Sequence, residues 1–400
     1  MNSLLTYIKG DKYLWAAIIF LSLFSFLPVY SASSNLQFIV GSGTTTSHII
    51  KHASFIIIGI CFVFIIQNID YKYFGAFAVI ALPFVVFALL LTLLQGTTID
   101  GANAARWLKI PGTSIAFQSS VFASLTLLVY ISRYLTKNKD IKITLAKSIM
   151  PLFFPILIII GLILPANGSM AVIIFATVMI LLFVGGFPLK YLALIILSII
   201  LCVTFFIAIV LSFPEKFENI SRVKTWQNRI ERFNNNEVGL EDYQVMNAKA
   251  AIVDGGTTGV GPGKSSFKQV LPQSASDFIF AIVIEEYGLW GALILIFLFL
   301  FILFRVVVIA TKIHTYFGTL LVFACGFPIC FQALLNMGVA VNLLPVTGQP
   351  LPLISYGGTS MWVTYIALGI IISVSTQIKS PEELEIEKKK QSEAIIEDIA

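Results

Sequence analysis

Long apolar runs separated by short polar turns dominate the pattern along this chain. The uninterrupted segments are 13–30, 50–69, 74–95, 115–134, 148–164, 168–187, 191–212, 278–304, 315–340 and 357–377. A helix needs about 20 apolar residues to cross a bilayer, and these segments have that length. The fifth and sixth are parted only by Pro165-Ala166-Asn167-Gly168-Ser169, where Pro165 and Gly168 predict a hairpin rather than one long helix. The first segment runs into Ser31-Ala32-Ser33, which looks like a cleavage site. Its apolar stretch is longer than the core of a typical signal peptide, so it is read as a retained span.

Composition supports that pattern: 58% of the 400 residues are hydrophobic and 12% are charged. Soluble domains carry about 25% charged residues, so a water-soluble fold is excluded. Cys61, Cys202, Cys325 and Cys330 all lie inside apolar runs without metal or disulfide spacing, and His48, His52 and His314 form no zinc pattern. The net charge of +5 does not indicate nucleic-acid binding, because the basic residues collect in short loops between spans. Lys and Arg mark the cytoplasmic side. Lys9, Lys12, Lys72, Arg133, Lys137, Lys139, Lys142, Lys147, Lys190, Arg305, Lys312, Lys379 and Lys388 to Lys390 then fall on one side, and only Lys51, Arg106 and Lys109 on the short loops of the other. The prediction is an all-α polytopic membrane protein of about ten transmembrane helices, both termini cytoplasmic. A large extracytoplasmic loop, about 213–276, lies between helices 7 and 8; residues 1–378 form one transmembrane domain and 379–400 a charged cytoplasmic tail.

Three outer loops carry the chemistry. The first, Gly101 to Gly112 running into Phe117-Gln118, places Trp107 between Arg106 and Lys109. That arrangement suits an interface anchor or an anionic headgroup. The second begins with Pro214 to Phe233, where Arg222, Lys224, Arg229 and Arg232 are spaced among apolar residues as in a surface amphipathic helix. It continues through Tyr243 to Ile252 into Gly255-Gly256-Thr257-Thr258-Gly259-Val260-Gly261-Pro262-Gly263-Lys264-Ser265. The ending imitates a phosphate-binding P-loop, but Thr258 stands where that motif needs Gly and no strand precedes it. The glycines are read instead as tight turns and as close backbone approach to a ligand or a neighbouring helix. At the end of the loop, Ser274 or Ser276 is placed to cap the next helix and Asp277 to sit in its first turn. Glu285 and Glu286 follow about 12 Å deeper at 1.5 Å per residue, where a carboxylate faces a cavity or a partner. The third loop, Asn342 to Gly358, is uncharged yet holds three prolines and three glycines. Irregular backbone at membrane depth is tolerated only against protein or a polar cavity, so a re-entrant segment is predicted.

These residues resemble a known family. Asn342-Leu343-Leu344-Pro345-Val346-Thr347-Gly348 through Leu351-Pro352-Leu353-Ile354-Ser355-Tyr356-Gly357-Gly358-Thr359-Ser360 resembles the carboxy-terminal signature of the SEDS proteins (shape, elongation, division and sporulation). Leu271-Pro272 through Ser276-Asp277-Phe278-Ile279-Phe280-Ala281 with Glu285-Glu286-Tyr287-Gly288, and Gly101-Ala102 through Arg106-Trp107-Leu108 with Phe117-Gln118, resemble two further signatures, in matching order from about 10 to 378. The resemblance implies a peptidoglycan glycosyltransferase that polymerises lipid II at the outer face of the bacterial cytoplasmic membrane. Its expected partners are a nascent glycan strand, a class B penicillin-binding protein and other division or elongation membrane proteins. The family's functional aspartate falls on Asp277. Two positions depart from the family pattern. Ser119-Ser120-Val121 and Ser124 replace a Pro-Ser-Glu and a following Lys, and Pro165-Ala166 replaces Pro-Asp. These departures, and Lys264-Ser265-Ser266 leading to Asp277, look more like the FtsW (division) members than the RodA (elongation) members.

On this reading Asp277 is the general base for a sugar hydroxyl, and the diphosphate leaving group requires positive charge. Lys51, Arg106, Lys109, Lys249 and Lys264 are the candidates, with Glu286, Thr347 and Ser355 as further substrate-binding residues. A divalent cation, Mg or Mn, bound through the diphosphate would add to that charge. No metal site made of protein ligands and no organic cofactor is expected. Two other classes compete with this reading. A lipid II flippase would use Glu285, Glu286 and the broken backbone near Pro345 to Pro352 as a path. A non-catalytic scaffold would leave the Asp277 cluster idle.

Overall fold

A computed structural model of the chain describes residues 7–39, 45–96, 106–109, 116–141, 144–212, 240–271 and 273–378. A helix lies on each of the predicted apolar segments. These are α1 (Lys12–Phe24), α2 (Phe26–Ile39), α3 (Thr45–Ile66), α4 (Lys72–Gln95), α5 (Ser119–Lys137), α6 (Leu145–Ser148), α7 (Phe154–Ile163), α8 (Gly168–Val184), α9 (Leu189–Ser212), α10 (Leu240–Gly255), α11 (Ile279–Lys312), α12 (Tyr316–Ala340) and α13 (Thr359–Ser375). Helices α1 and α2 form one segment, and a π-helical turn at Ile149–Phe153 joins α6 to α7. Among the described residues, six helices are long and apolar enough to cross a membrane, and Ile149–Ile163, Gly168–Val184 and Thr359–Ser375 are shorter apolar helices. The hairpin between the fifth and sixth segments is present: Asn167 caps α8 by accepting from the Met170 amide at 3.1 Å. The amphipathic segment expected at 214–233 and the charged tail at 379–400 lie outside the described residues.

A small core joins Ala248 and Ala251 of α10 to the start of α11, and the helices otherwise pack into two larger cores that share α12. One gathers α1, α3, α11, α13 and Leu351–Ile354, with Leu321 and Cys325 of α12. The other gathers α4, α5, α7 and α8, with Leu320 and Ala324 of α12. Close packing follows from small residues: a Cβ built on Gly59 of α3 would collide with the Tyr365 ring of α13. The Tyr365 hydroxyl in turn meets Ser22 of α1 at 2.6 Å. At one end of the bundle Asp11 accepts from the Leu14 amide at 2.8 Å, forms an ion pair with Arg305 of α11 and donates its own amide to Ser375 of α13 at 2.9 Å. Three helices are thereby fixed at the end where basic residues were expected.

The opposite end holds the non-helical backbone. A two-residue antiparallel pair, β1 (Leu108–Lys109) with β2 (Ala116–Phe117), leads into α5. The glycine-rich run after α10 is a backbone docking device. Val260 and Gly261 donate their amides to the carbonyls of Glu285 and Glu286 at 2.9 and 3.1 Å, and Leu289 returns one to Gly256 at 3.0 Å. Helix α11 breaks at Gly288 (φ 67°), which frees those carbonyls. A Cβ at Gly288 would strike the Thr257 carbonyl oxygen, and one at Gly259 (φ +79°) that of Glu286. Of the two readings left open for these glycines, the structure selects close approach to a neighbouring helix.

Some expectations are corrected. Asp277 does not lie in the first turn of α11 but in the turns that precede Ile279. Neither Ser274 nor Ser276 caps that helix: Phe278 is the N-cap without a side-chain bond, and the two hydroxyls donate to the carbonyls of Lys268 and Gln273. The helix α10 within the large loop was not anticipated. We expect Gly259→Ala and Gly288→Ala each to cost at least about 2 kcal/mol, from the left-handed backbone and the carbonyl clash together. Gly161→Ala, with open space around it, should be neutral or slightly stabilising. Melting of the purified variants in detergent checks the contrast; equal melting temperatures for all three would refute the docking account.

Candidate active site

Three stretches of backbone meet at the non-helical end: 273–278 ahead of α11, 342–358 between α12 and α13, and Arg106 ahead of β1. Four side-chain or backbone donors fasten the second stretch to its surroundings. Ser355 donates its hydroxyl to the Ser276 carbonyl at 2.6 Å and accepts from the Leu351 amide at 2.7 Å. Tyr356 donates its amide to the Ala275 carbonyl at 2.9 Å. Asn336 of α12 bridges both stretches, its Nδ2 donating to the carbonyls of Asp277 at 2.7 Å and Gln349 at 2.8 Å. Gln332, one turn earlier, donates to the Pro350 carbonyl at 2.8 Å. Carbonyls that no helix satisfies are thus satisfied from α12 and from the neighbouring loop.

This frame brings Asp277 and Arg106 to the same glycine. A Cβ built on Gly348 (φ +64°) would lie 3.5 Å from Asp277 Oδ2 and 3.6 Å from an Arg106 Nη. Arg106 Nε also donates to the Ala166 carbonyl at 3.2 Å, so the guanidinium reaches from Asp277 to the α7–α8 turn. Burial raises the Asp277 carboxyl to about 6, with the Arg106 charge and a Ser276 hydrogen bond pulling the other way. The carboxylate therefore titrates near neutral pH, which suits a proton acceptor. Beside it, Gln118, Gln332, Gln349, Ser355, Ser360 and Thr364 contribute polar groups to a small uncharged cleft under the 342–358 loop.

The predicted residues divide by what the structure does with them. Asp277, Arg106 and Ser355 belong to one assembly, in which Ser355 acts as a positioning residue for the backbone that carries Asp277, and Thr347 stands next to Gly348 in the chain. Lys109, Lys51, Lys249 and Lys264 are exposed on β1, on α3, on α10 and after the glycine-rich run, and no contact among the described residues joins them to Asp277. The two glutamates are occupied by the outer loop rather than lining an open pocket. Glu285 accepts from the hydroxyl and amide of Ser266, the amide of Phe267 at 3.1 Å and the hydroxyl of Ser265. Glu286, 1% exposed, accepts from Ser31 of α2 and from the Ser265 amide at 3.4 Å. Lys268, which sequence reasoning passed over, donates to the Gly263 carbonyl at 2.7 Å and to Ser31 at 3.5 Å. Asn336 and Gln332 were also missed. Their signal was two amides one turn apart, on one face of an otherwise apolar span.

Apolar helices with a carboxylate and a guanidinium held at one end of the bundle by irregular backbone define a multi-pass membrane protein with an organised polar centre. The family described as "Cell cycle protein", that of FtsW, RodA and SpoVE, matches residues 11–380. The chain belongs to this family and is FtsW-like within it. It is 30% identical over 400 residues to the "Probable peptidoglycan glycosyltransferase FtsW" of Enterococcus hirae, covering 97% of this chain and 96% of that one. It is 35% identical over 299 residues to the protein of the same name from Bacillus subtilis (strain 168), covering 72% and 70%. The fold is shared with Thermus thermophilus "Rod shape determining protein RodA", at a TM-score of 0.64 and 20% identity over 93% of this chain and 98% of that one. It is also shared with a chain solved in "Structural coordination of polymerization and crosslinking by a peptidoglycan synthase complex", at a TM-score of 0.68 and 22% identity over 92% and 97%.

Asn336→Leu removes the donor to two buried carbonyls while keeping the side-chain volume. A loss of about 2 kcal/mol or more is expected, since an unsatisfied buried group costs about 1–3 kcal/mol. Thermal unfolding measures it, and wild-type stability would mean that Asn336 does not hold the two stretches together.

Proposed function

We propose that this peptidoglycan glycosyltransferase of cell-wall synthesis polymerises lipid II into β-1,4-linked glycan strands at the outer face of the cytoplasmic membrane, for cell division. The observation that carries the reading is Asp277, raised to about 6 and fixed beside Arg106. In the proposed step Asp277 takes the proton of the acceptor sugar's 4-hydroxyl. The freed oxygen attacks the anomeric carbon of the donor, the bond from that carbon to the diphosphate oxygen breaks, and the lipid diphosphate leaves with the electron pair. A single displacement with one base inverts the anomeric centre, from an α-linked donor to a β-linked product. Arg106 offsets the charge that develops on the leaving group.

Among the described residues no group of three or more His, Cys, Asp or Glu side chains sits together. A divalent cation held by the substrate's diphosphate would add positive charge to the leaving group. The flippase reading drew on Glu285 and Glu286, whose side chains are engaged by Ser31 and the 265–267 turn, so no second reading is favoured. A class B penicillin-binding protein is the proposed partner. One structural neighbour comes from a peptidoglycan synthase complex that coordinates polymerization and crosslinking, and the same coordination is proposed for this chain.

The proposed topology has ten spans with both termini in the cytoplasm, supported by the basic residues gathered around Asp11 and Arg305 at the end opposite Asp277. A membrane-impermeant maleimide should label Lys264→Cys on intact spheroplasts and Lys139→Cys only after permeabilisation; the reverse pattern would invert the topology.

Asp277→Asn should lower lipid II polymerisation by about 10² to 10⁴-fold, the usual contribution of a general base. Glycan ladders made with the partner present are the readout, and wild-type ladders would exclude Asp277 as the base. The carboxylate form is lost as pH falls through its raised value. The acid limb of kcat/KM should accordingly lie at about 6, well above an ordinary aspartate at about 3.9. A limb near the ordinary value would place the base elsewhere.

A further inference from the structure

The first two turns of α3 carry a pair of imidazoles that the glycosyltransferase reading does not use. Helix α3 starts at Thr45, at the end of the bundle that holds Asp277. It finishes at the opposite end, where Gln67 accepts from the Lys9 amide at 3.1 Å. His48 and His52 lie four residues apart on it and share one face. Both rings pack against the ring of Tyr356, at 5.8 and 6.1 Å between centroids, and Phe26 of α2 meets His52 edge-on at 5.4 Å. Tyr356 belongs to the frame around Asp277, since its amide donates to the Ala275 carbonyl at 2.9 Å. The tautomer of His52 follows from its one partner. A serine hydroxyl has a single proton. Ser25 donates its proton to the Ser22 carbonyl at 2.7 Å, so it accepts from His52 Nε2–H at 2.9 Å. Nδ1 is then the nitrogen with the bare lone pair. His52 is 0% exposed, and its Nδ1 has no hydrogen-bond partner among the described residues. Both nitrogens of His48 are buried and lack a partner in the same way, and a neutral imidazole always leaves one of its two nitrogens as a lone pair. Buried polar atoms are normally satisfied, so a facing pair of imidazoles with three unpartnered nitrogens points to a ligand.

An imidazole that donates one N–H to an oxygen and presents its other nitrogen bare has the form of a metal-bound histidine, whose tautomer is set by that outer hydrogen bond. We infer that His48 and His52 Nδ1 together bind a divalent transition-metal ion of the zinc or copper class at the Asp277 end of α3. Imidazole nitrogen suits zinc, copper and nickel, whereas magnesium and calcium require oxygen ligands. Among the described residues no third His, Cys, Asp or Glu joins the pair, which leaves the other positions of the ion to water or a small anion. His48 is the half-buried member and lies one turn nearer the helix start, on the side from which an ion reaches the pair. The site is distinct from any cation carried by a substrate's diphosphate: it selects another class of metal and needs no substrate. With the ion bound, two turns of α3 are cross-linked on the face against which Tyr356 packs. The run His48-Ile49-Ile50-Lys51-His52 lacks the glutamate of a zinc-hydrolase motif, and the lone pair on Nδ1 becomes visible only once the fold supplies Ser25.

The full-length protein, purified in detergent without a polyhistidine tag, is titrated with Cu²⁺, Zn²⁺ and Mg²⁺ by calorimetry, and the copper complex is characterised by electron paramagnetic resonance. Wild-type protein should take up one ion per chain, Cu²⁺ more tightly than Zn²⁺ and Mg²⁺ not at all. Zn²⁺ should raise its melting temperature, as any ligand of the folded state does. The copper spectrum should show two imidazole nitrogens. His48→Phe keeps a ring against Tyr356 but has no lone pair; it should lose binding while its metal-free melting temperature stays at the wild-type value. Ser25→Ala frees the His52 tautomer and should weaken binding about tenfold or more, the usual effect of losing such an outer hydrogen bond. His314→Ala, exposed at the opposite end of the bundle, should bind as wild type does. Absence of binding to wild type, full binding by His48→Phe, or loss of binding in His314→Ala would each overturn the assignment. The wild-type copper spectrum tests the ligands without any substitution, and a spectrum lacking two imidazole nitrogens would overturn it alone. None of these readouts needs lipid II, so the metal site and the proposed chemistry at Asp277 can fail independently.

Discussion

Backbone that is neither helix nor sheet, placed at the end of an apolar bundle, must find its hydrogen bonds within the protein, because hydrocarbon supplies none. The arrangement of this molecule at its non-helical end follows from that constraint. The 342–358 stretch carries prolines that donate nothing and carbonyls that need donors. It is held by Ser355, by the Tyr356 amide and by two amide side chains from α12, Gln332 and Asn336. The same Asn336 holds the Asp277 carbonyl, so the backbone that positions the carboxylate is fixed by the groups that satisfy the loop. Rigid placement of the Asp277 carboxylate and satisfaction of buried polar backbone are here one set of bonds.

The large loop meets the same constraint in another way. Breaking α11 at Gly288 exposes the carbonyls of Glu285 and Glu286, and the glycine-rich run answers with its own amides because glycine lets two backbones touch. The side chains of those glutamates then collect the loose amides and hydroxyls of 265–267, and Ser31 draws α2 into the same knot. Two acidic residues that would be costly in lipid serve as acceptors for a loop that would otherwise lack them. Their role is to join α2, the large loop and α11.

The apolar pattern made the helices legible, since length and hydropathy determine where a helix lies whatever it packs against. The re-entrant nature of 342–358 was legible for a related reason: prolines and glycines without charge next to a span leave few alternatives. Asp277 and Arg106 were visible as residue types, yet their pairing was not, because it passes through Gly348 and links segments far apart in the sequence. Spacing along a chain gives no access to such a contact. For the same reason Lys51, Lys249 and Lys264 ranked equally with Arg106 until the fold separated them. The role of the glutamates was hidden because depth counted along α11 assumes entry into the membrane at Ile279, whereas its first turns are wrapped by the loop. Asn336 and Gln332 look ordinary within α12; only the carbonyls they meet give them a role.

Arg106 ties the two halves of the site together. It lowers Asp277 against the larger effect of burial, and the balance leaves the carboxyl at about 6. On its other side it donates to the Ala166 carbonyl at 3.2 Å, next to Asn167 and the start of α5. The charge that offsets burial thus comes from a segment remote in sequence, which the fold brings to Asp277 beside Gly348 and anchors on the α7–α8 turn through the Ala166 carbonyl.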